Sequence, residues 1–205
     1  MGTRNLVVVI SGGSHRIAQY GQWDGYPAGQ GVTALAAISK IIEDGALDAF
    51  KAKLLGCRFI PQNEILELWK EQGADDSGFV SMEIAEKFGR AHPQLSRDTG
   101  AEVINLVNHS ESGLPLSDSY DFAGDGLFCE WAYVIDLDGG TFEVYKGFGK
   151  EPLTPADRFH NLSSFLAGDY QPVKICHSWP LDKLPSSQEF IEALEPSSED
   201  CAENA

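Results

Sequence analysis

The chain is expected to fold as α+β: an antiparallel sheet of about five strands, made of two hairpins plus one edge strand and covered by helices. Three observations predict this. Two stretches of strand-forming residues are each folded back by a turn-rich connection, Ser11-Gly-Gly-Ser14 in one and Asp138-Gly139 in the other. A long block of helical periodicity separates the two hairpins. The strands come in pairs and do not alternate one by one with helices, which separates this pattern from a parallel α/β sheet.

The first hairpin joins Asn5–Ile10 to His15–Gln22. Setting Ile10 opposite His15 puts Val8 against Ile17, Leu6 against Gln19 and Arg4 against Gly21, so Arg4 stands beside the segment that follows. Val32, Leu35, Ile38, Ile41 and Ile42 keep the spacing of one helix face, and Leu47, Phe50 and Leu54 that of a second. Helices over residues 63–72, 81–89 and 98–107 each start at a good capping residue. The polar stretch His109 to Gly126 is predicted as a long loop and as the part of the body most prone to disorder.

In the second hairpin Trp131–Leu137 and Thr141–Tyr145 flank Asp138-Gly139, the preferred type I′ pair. A turn there places Trp131, Tyr133, Ile135, Phe142 and Val144 on one face, with Glu130, Asp136, Thr141 and Glu143 on the other. Turning one residue later would oppose Asp136 and Glu143, a like-charge pair. A sheet with one buried face follows. Thr154-Pro155 is expected to open a helix running toward Gly168, Pro172–Trp179 to form the edge strand, and Ser186-Ser-Gln-Glu189 to cap a last helix. Residues 1–195 read as a single α+β domain, and 196–205 as an acidic disordered tail.

Thirty-one acidic against fifteen basic residues give a net charge of −16. The basic residues are scattered singly, so nucleic acid and anionic membrane surfaces are both unfavourable partners. No window approaches the roughly 20 apolar residues of a membrane span, and Met-Gly-Thr-Arg-Asn lacks the features of a signal peptide, which predicts a cytoplasmic protein. The four cysteines stand far apart without a C-x-x-C pair, so neither a metal site nor a cofactor is expected.

Chemistry concentrates in Tyr20-Gly-Gln-Trp-Asp-Gly-Tyr-Pro-Ala-Gly-Gln-Gly31, between a strand and a helix. Asp24-Gly25 and Tyr26-Pro27 are turn signals, and a purely structural turn accounts for them. As a site, Gly29, Gln30 and Gly31 would open the next helix with free backbone N–H groups, aimed at a cleft rimmed by Arg4, Gln22, Trp23 and Tyr26. Such a cleft suits a small polar ligand, anions included. A catalytic version pairs Asp24 with Glu130 as acid and base of a hydrolase or transferase. A third class is an acidic module recognising a basic protein partner, in which the loop is only structural. An N-terminal-nucleophile hydrolase would need Thr3 exposed by removal of Gly2.

Thr-Arg-Asn at the start, the Ala18–Gly31 run and Leu-Ser-Arg-Asp-Thr-Gly at 95–100 resemble segments of an uncharacterised family of intracellular proteins. That family occurs in fungi and, in shorter Trp-Asp-Gly-Tyr-Pro forms, in bacteria and phages. The resemblance covers the first hairpin, with the Trp131 hairpin as a looser match. It implies that Arg4, Gln22, Trp23, Asp24, Tyr26 and Gly31 matter together, and it implies no reaction.

Overall fold

A computed structural model describes residues 2–75, 80–163 and 167–195; the acidic tail lies outside the described residues. The strands are β1 (Asn5–Ser11), β2 (Ser14–Gly21), β3 (Arg58–Phe59), β4 (Pro115–Leu116), β5 (Trp131–Asp136), β6 (Thr141–Lys146) and β7 (Lys174–Pro180). The helices are α1 (Val32–Glu43), α2 (Leu47–Gly56), α3 (Gln62–Glu71), α4 (Met82–Ala91), α5 (Val103–His109) and α6 (Ser187–Leu194).

The class is α+β, and the main sheet has five strands in the order β2-β1-β5-β6-β7. Both hairpins form, and β7 is an edge strand. The expectation of a purely antiparallel sheet is corrected, because the hairpins join through β1 and β5, which run parallel with Asn5 beside Trp131 and Ile10 beside Asp136. The two N-terminal strand ends therefore lie together at one end of the sheet, and the two C-terminal ends at the other. A separate small sheet pairs β3 with β4.

In the second hairpin Asp136 faces Thr141, Val134 faces Glu143 and Trp131 faces Lys146, the register that like-charge avoidance selects. The turn itself is not type I′. Gly140 takes the left-handed conformation (φ 69°) while Asp138 and Gly139 do not, and Asp136 Oδ1 accepts the N–H groups of both (3.1 and 2.7 Å). In the first hairpin Ile10 does face His15, but Arg16 is an extra residue on β2, so Val9 meets Ile17, Val7 meets Gln19 and Asn5 meets Gly21. Such a bulge shifts every later pair by one position.

Both faces of the sheet are buried, which corrects the one-sided expectation. Val7, Val9, Ile17, Tyr133, Ile135, Phe142 and Val144 pack under α1, α2, α5 and α6. On the other face Leu6, Val8, Ala132, Val134 and Tyr145 are covered by irregular chain carrying Ala123, Cys129, Phe159 and Val173. Among the described residues the expected helix from Thr154 does not form: residues 155–161 make successive turns. Asp157 Oδ2 accepts both the N–H and the hydroxyl of Thr154 (2.7 and 2.8 Å), a bond set that closes a turn as readily as it starts a helix.

The 109–126 segment, expected as a loose loop, is tied to the body. Asp118 Oδ2 lies 3.0 Å from His15 Nε2, and the Tyr120 ring stacks on His15 with centroids 4.4 Å apart. Ser186 and Glu189 form the expected capping box at the start of α6.

Candidate ligand site

The Tyr20–Gly31 loop leaves β2, makes one wide π-type turn over Pro27–Gly31 and runs directly into α1. Its closure depends on Asp24, which is left-handed (φ 54°) although it is not glycine. The Gly25 N–H donates to the Thr3 carbonyl (3.0 Å), and the Gln30 N–H donates to the Asp24 carbonyl (2.8 Å). From the sheet below, the buried Tyr133 hydroxyl donates to the Gly25 carbonyl (2.7 Å). Burial pushes the Tyr133 phenol well above its ordinary pKa, so it stays a neutral donor.

Two glycines permit this closure. A Cβ on Gly29 would stand 2.3 Å from the Asp24 carbonyl oxygen, and one on Gly31 would stand 2.8 Å from the Tyr133 ring and 2.9 Å from the Phe190 ring. They are glycine for the sake of the loop's own packing.

The expected row of free amides is not formed. Gly29 and Gly31 both donate to the Tyr26 carbonyl (3.0 and 3.3 Å) and Gln30 to Asp24, while the Val32 N–H turns back onto Gly29 and Pro27. The wide turn uses these donors internally, which removes the helix-terminus argument for an anion.

An open hollow of about 870 Å³ nevertheless lies beside Asp24. The loop lines it with Asp24, Tyr26, Ala28 and Gly29, the start of β5 with Glu130 and Trp131, the end of β6 with Lys146 and Phe148, and the end of α6 with Leu194 and Glu195. Four expected residues thus meet there: Asp24, Tyr26, Gly29 and Glu130. Glu130 is held by backbone, its Oε1 accepting the Arg4 N–H (3.3 Å) and its own N–H donating to the Arg4 carbonyl (3.2 Å).

The other expected residues face elsewhere. The Arg4 guanidinium lies over the Phe128 ring, 4.5 Å from its centroid. Gln22 accepts from the Tyr20 hydroxyl (2.6 Å) and donates its N–H to the Arg97 carbonyl (2.9 Å). The Trp23 indole N–H reaches Asp98 (2.9 Å), and Gln30 Oε1 accepts the Ala101 N–H (2.7 Å). These contacts clamp the loop onto residues 97–101, so the Arg97 segment supports the loop from outside the hollow. Gly31 is buried beneath it. Thr3 is also buried, only 4% exposed, with its carbonyl engaged by Gly25.

Lys146, Phe148, Leu194 and Glu195 were not expected at the site. Lys146 stands opposite Trp131 in the β5–β6 register, and its ammonium lies 5.1 Å from the Trp131 ring centroid. Phe148 sits between two glycines and is left-handed (φ 65°). Leu194 and Glu195 come from a helix distant in sequence, with no local signal. Among the described residues no group of His, Cys, Asp and Glu is arranged to hold a metal ion, and no helix is long and apolar enough to cross a membrane.

Comparison of the chain with protein families, with curated proteins and with solved structures finds no match. The reading of the site therefore rests on its own geometry.

Proposed function

We propose that this chain binds a small polar ligand in the hollow beside Asp24. One observation carries the reading. Among the described residues only Asp24 and Phe148 adopt positive φ without being glycine, and both line this hollow. Left-handed backbone at a non-glycine residue is unfavourable, and it clusters where a fold holds side chains for recognition. The walls add exposed aromatic surface, with Tyr26 54% and Phe148 47% exposed, beside a few polar groups, the usual make-up of a small-molecule site.

A thermal-shift screen of polar metabolites on the full chain tests this. Ligands that raise the melting temperature are expected to lose that effect in Asp24→Asn and in Tyr26→Ala. The melting temperature without ligand should change little, because Asn tolerates left-handed backbone and Tyr26 is half exposed. Trp23→Ala, outside the hollow, should leave the ligand effect in place. Binding that survives both Asp24→Asn and Tyr26→Ala would place the ligand elsewhere and end the proposal.

Convergence of Asp24 and Glu130 on one hollow favours a second reading, in which these carboxylates move protons on the bound molecule. Following the same panel for chemical change separates binding from turnover; a bound panel member that is never converted counts against it.

A further inference from the structure

Resting on the hollow as a ligand site, we infer that its ligand is an organic cation, an ammonium group carried on a small aromatic or apolar body. The walls carry three carboxylates, Asp24, Glu130 and Glu195, against one ammonium, Lys146. A balance of this kind is often neutralised by internal ion pairs, but here it is not. Of the neighbouring cations, Arg4 rests over Phe128, Lys146 over Trp131 and Lys150 over Tyr170 at 5.0 Å, while Lys174, opposite Lys146, pairs with Glu151 (3.9 Å). Tyr170 in turn touches Phe148, with ring centroids 6.2 Å apart. Among the described residues the Asp24 carboxylate has no hydrogen bond or ion pair, and Lys146 is paired with no carboxylate.

The Lys146–Trp131 contact is independent of the acidic groups and points the same way, because it shows this wall already holding an ammonium against an aromatic face. A ligand ammonium entering beside Asp24 and Glu130 would gain charge-assisted hydrogen bonds, while its body would lie against Tyr26 and Phe148. An anion would meet three carboxylates and a row of amides already bonded within the loop. A neutral molecule would gain neither charge term.

The test titrates the full chain with benzylammonium, benzyl alcohol and benzoate at one pH and ionic strength, following backbone NMR signals of Tyr26, Trp131 and Phe148. Benzylammonium is expected to shift these signals with a dissociation constant in the millimolar range, as suits a ligand of about eight heavy atoms, and to weaken as salt is raised. Asp24→Asn should weaken it about tenfold or more, the loss of one charge-assisted contact. Lys146→Met, at an exposed position, should strengthen it by removing a like charge, an effect no structural role produces. Equal or stronger shifts from benzyl alcohol or benzoate would overturn the cation and leave the hollow standing as a site. Absence of any shift at these residues with all three compounds would overturn both.

Discussion

The two ends of the five-stranded sheet handle charge in opposite ways. Where β1 and β5 finish, Arg158 donates to Asp136 (2.8 Å), to Glu143 (2.9 Å) and to the Tyr145 hydroxyl (3.2 Å), while Tyr145 donates to Glu143 (2.6 Å). Burial opposes the Arg158 charge, but these hydrogen bonds outweigh it and raise the guanidinium pKa above its ordinary value. Where β1 and β5 begin, Arg4, Lys146 and Lys150 lie on rings, and Lys174 pairs with Glu151 (3.9 Å). Of the carboxylates facing the hollow, Glu130 accepts a backbone N–H (3.3 Å), while none is paired with a cation among the described residues. Space alone does not separate the ends, since the Arg158 end also has a hollow, of about 520 Å³. What differs is whether the charges lining it already satisfy one another. Satisfied networks hold a fold together, whereas open ones leave interaction for a partner.

The largest effect is therefore expected at the closed end. Arg158→Met would leave Asp136 and Glu143 facing each other's charge without a cation in a largely buried setting. A loss of about 2–3 kcal/mol follows, below that of a fully buried pair because Arg158 keeps some contact with water. Urea unfolding measures it. A loss under about 0.5 kcal/mol would mean the network is surface decoration, and the contrast between the ends would fail.

A smaller loss is expected under the open end, which needs a stiff floor if its charges are to stay apart. Gly31→Ala would drive a methyl group into the Tyr133 and Phe190 rings and disturb the Tyr133 bond to Gly25. A single added methyl falls toward the low end of the roughly 1–3 kcal/mol that overpacking costs. The same urea experiment reads it; an unchanged midpoint would show a yielding floor and weaken the case for a preformed hollow.

How far these ends could be read from sequence depends on how local their causes are. The β5–β6 register was legible because one alternative opposed two carboxylates. The β1–β2 register was not, because a single inserted residue such as Arg16 leaves no mark in composition. Burial on both faces did leave a mark: Leu6-Val-Val-Val9 and Trp131–Ile135 are unbroken apolar runs, the pattern of strands covered on both sides. That Asp24, Tyr26, Gly29 and Glu130 come to one hollow could be anticipated because an unusual loop sits beside a strand end. The reading of the loop amides failed because helical periodicity does not distinguish a wide turn from a capped start. Arg158 was missed for a similar reason, since Thr154-Pro-Ala-Asp157 looks like a helix opening. Only the tertiary pull of Asp136 and Glu143 shows why the chain turns there instead.

The smallest effect concerns pH, and it sharpens the account of the closed end. Asp138 links the two hairpin turns, its carboxylate oxygens accepting the N–H groups of Gly12 (3.0 Å) and Gly13 (2.8 Å). These bonds favour the charged form and hold the carboxyl below its ordinary pKa in the folded chain. A group depressed by folding contributes stability above its unfolded pKa, and that contribution is lost as pH falls through the folded value. Wild type should therefore exceed Asp138→Asn in stability near neutral pH, and the difference should shrink as pH falls below about 5, where an unfolded aspartate begins to protonate. Asn keeps one acceptor oxygen, and the site is fully exposed to water, so the difference is small throughout. Urea midpoints of the two proteins between neutral and acid pH measure it. If the gap stays constant through the acid range, the hairpin turns are joined by shape and not by the Asp138 charge.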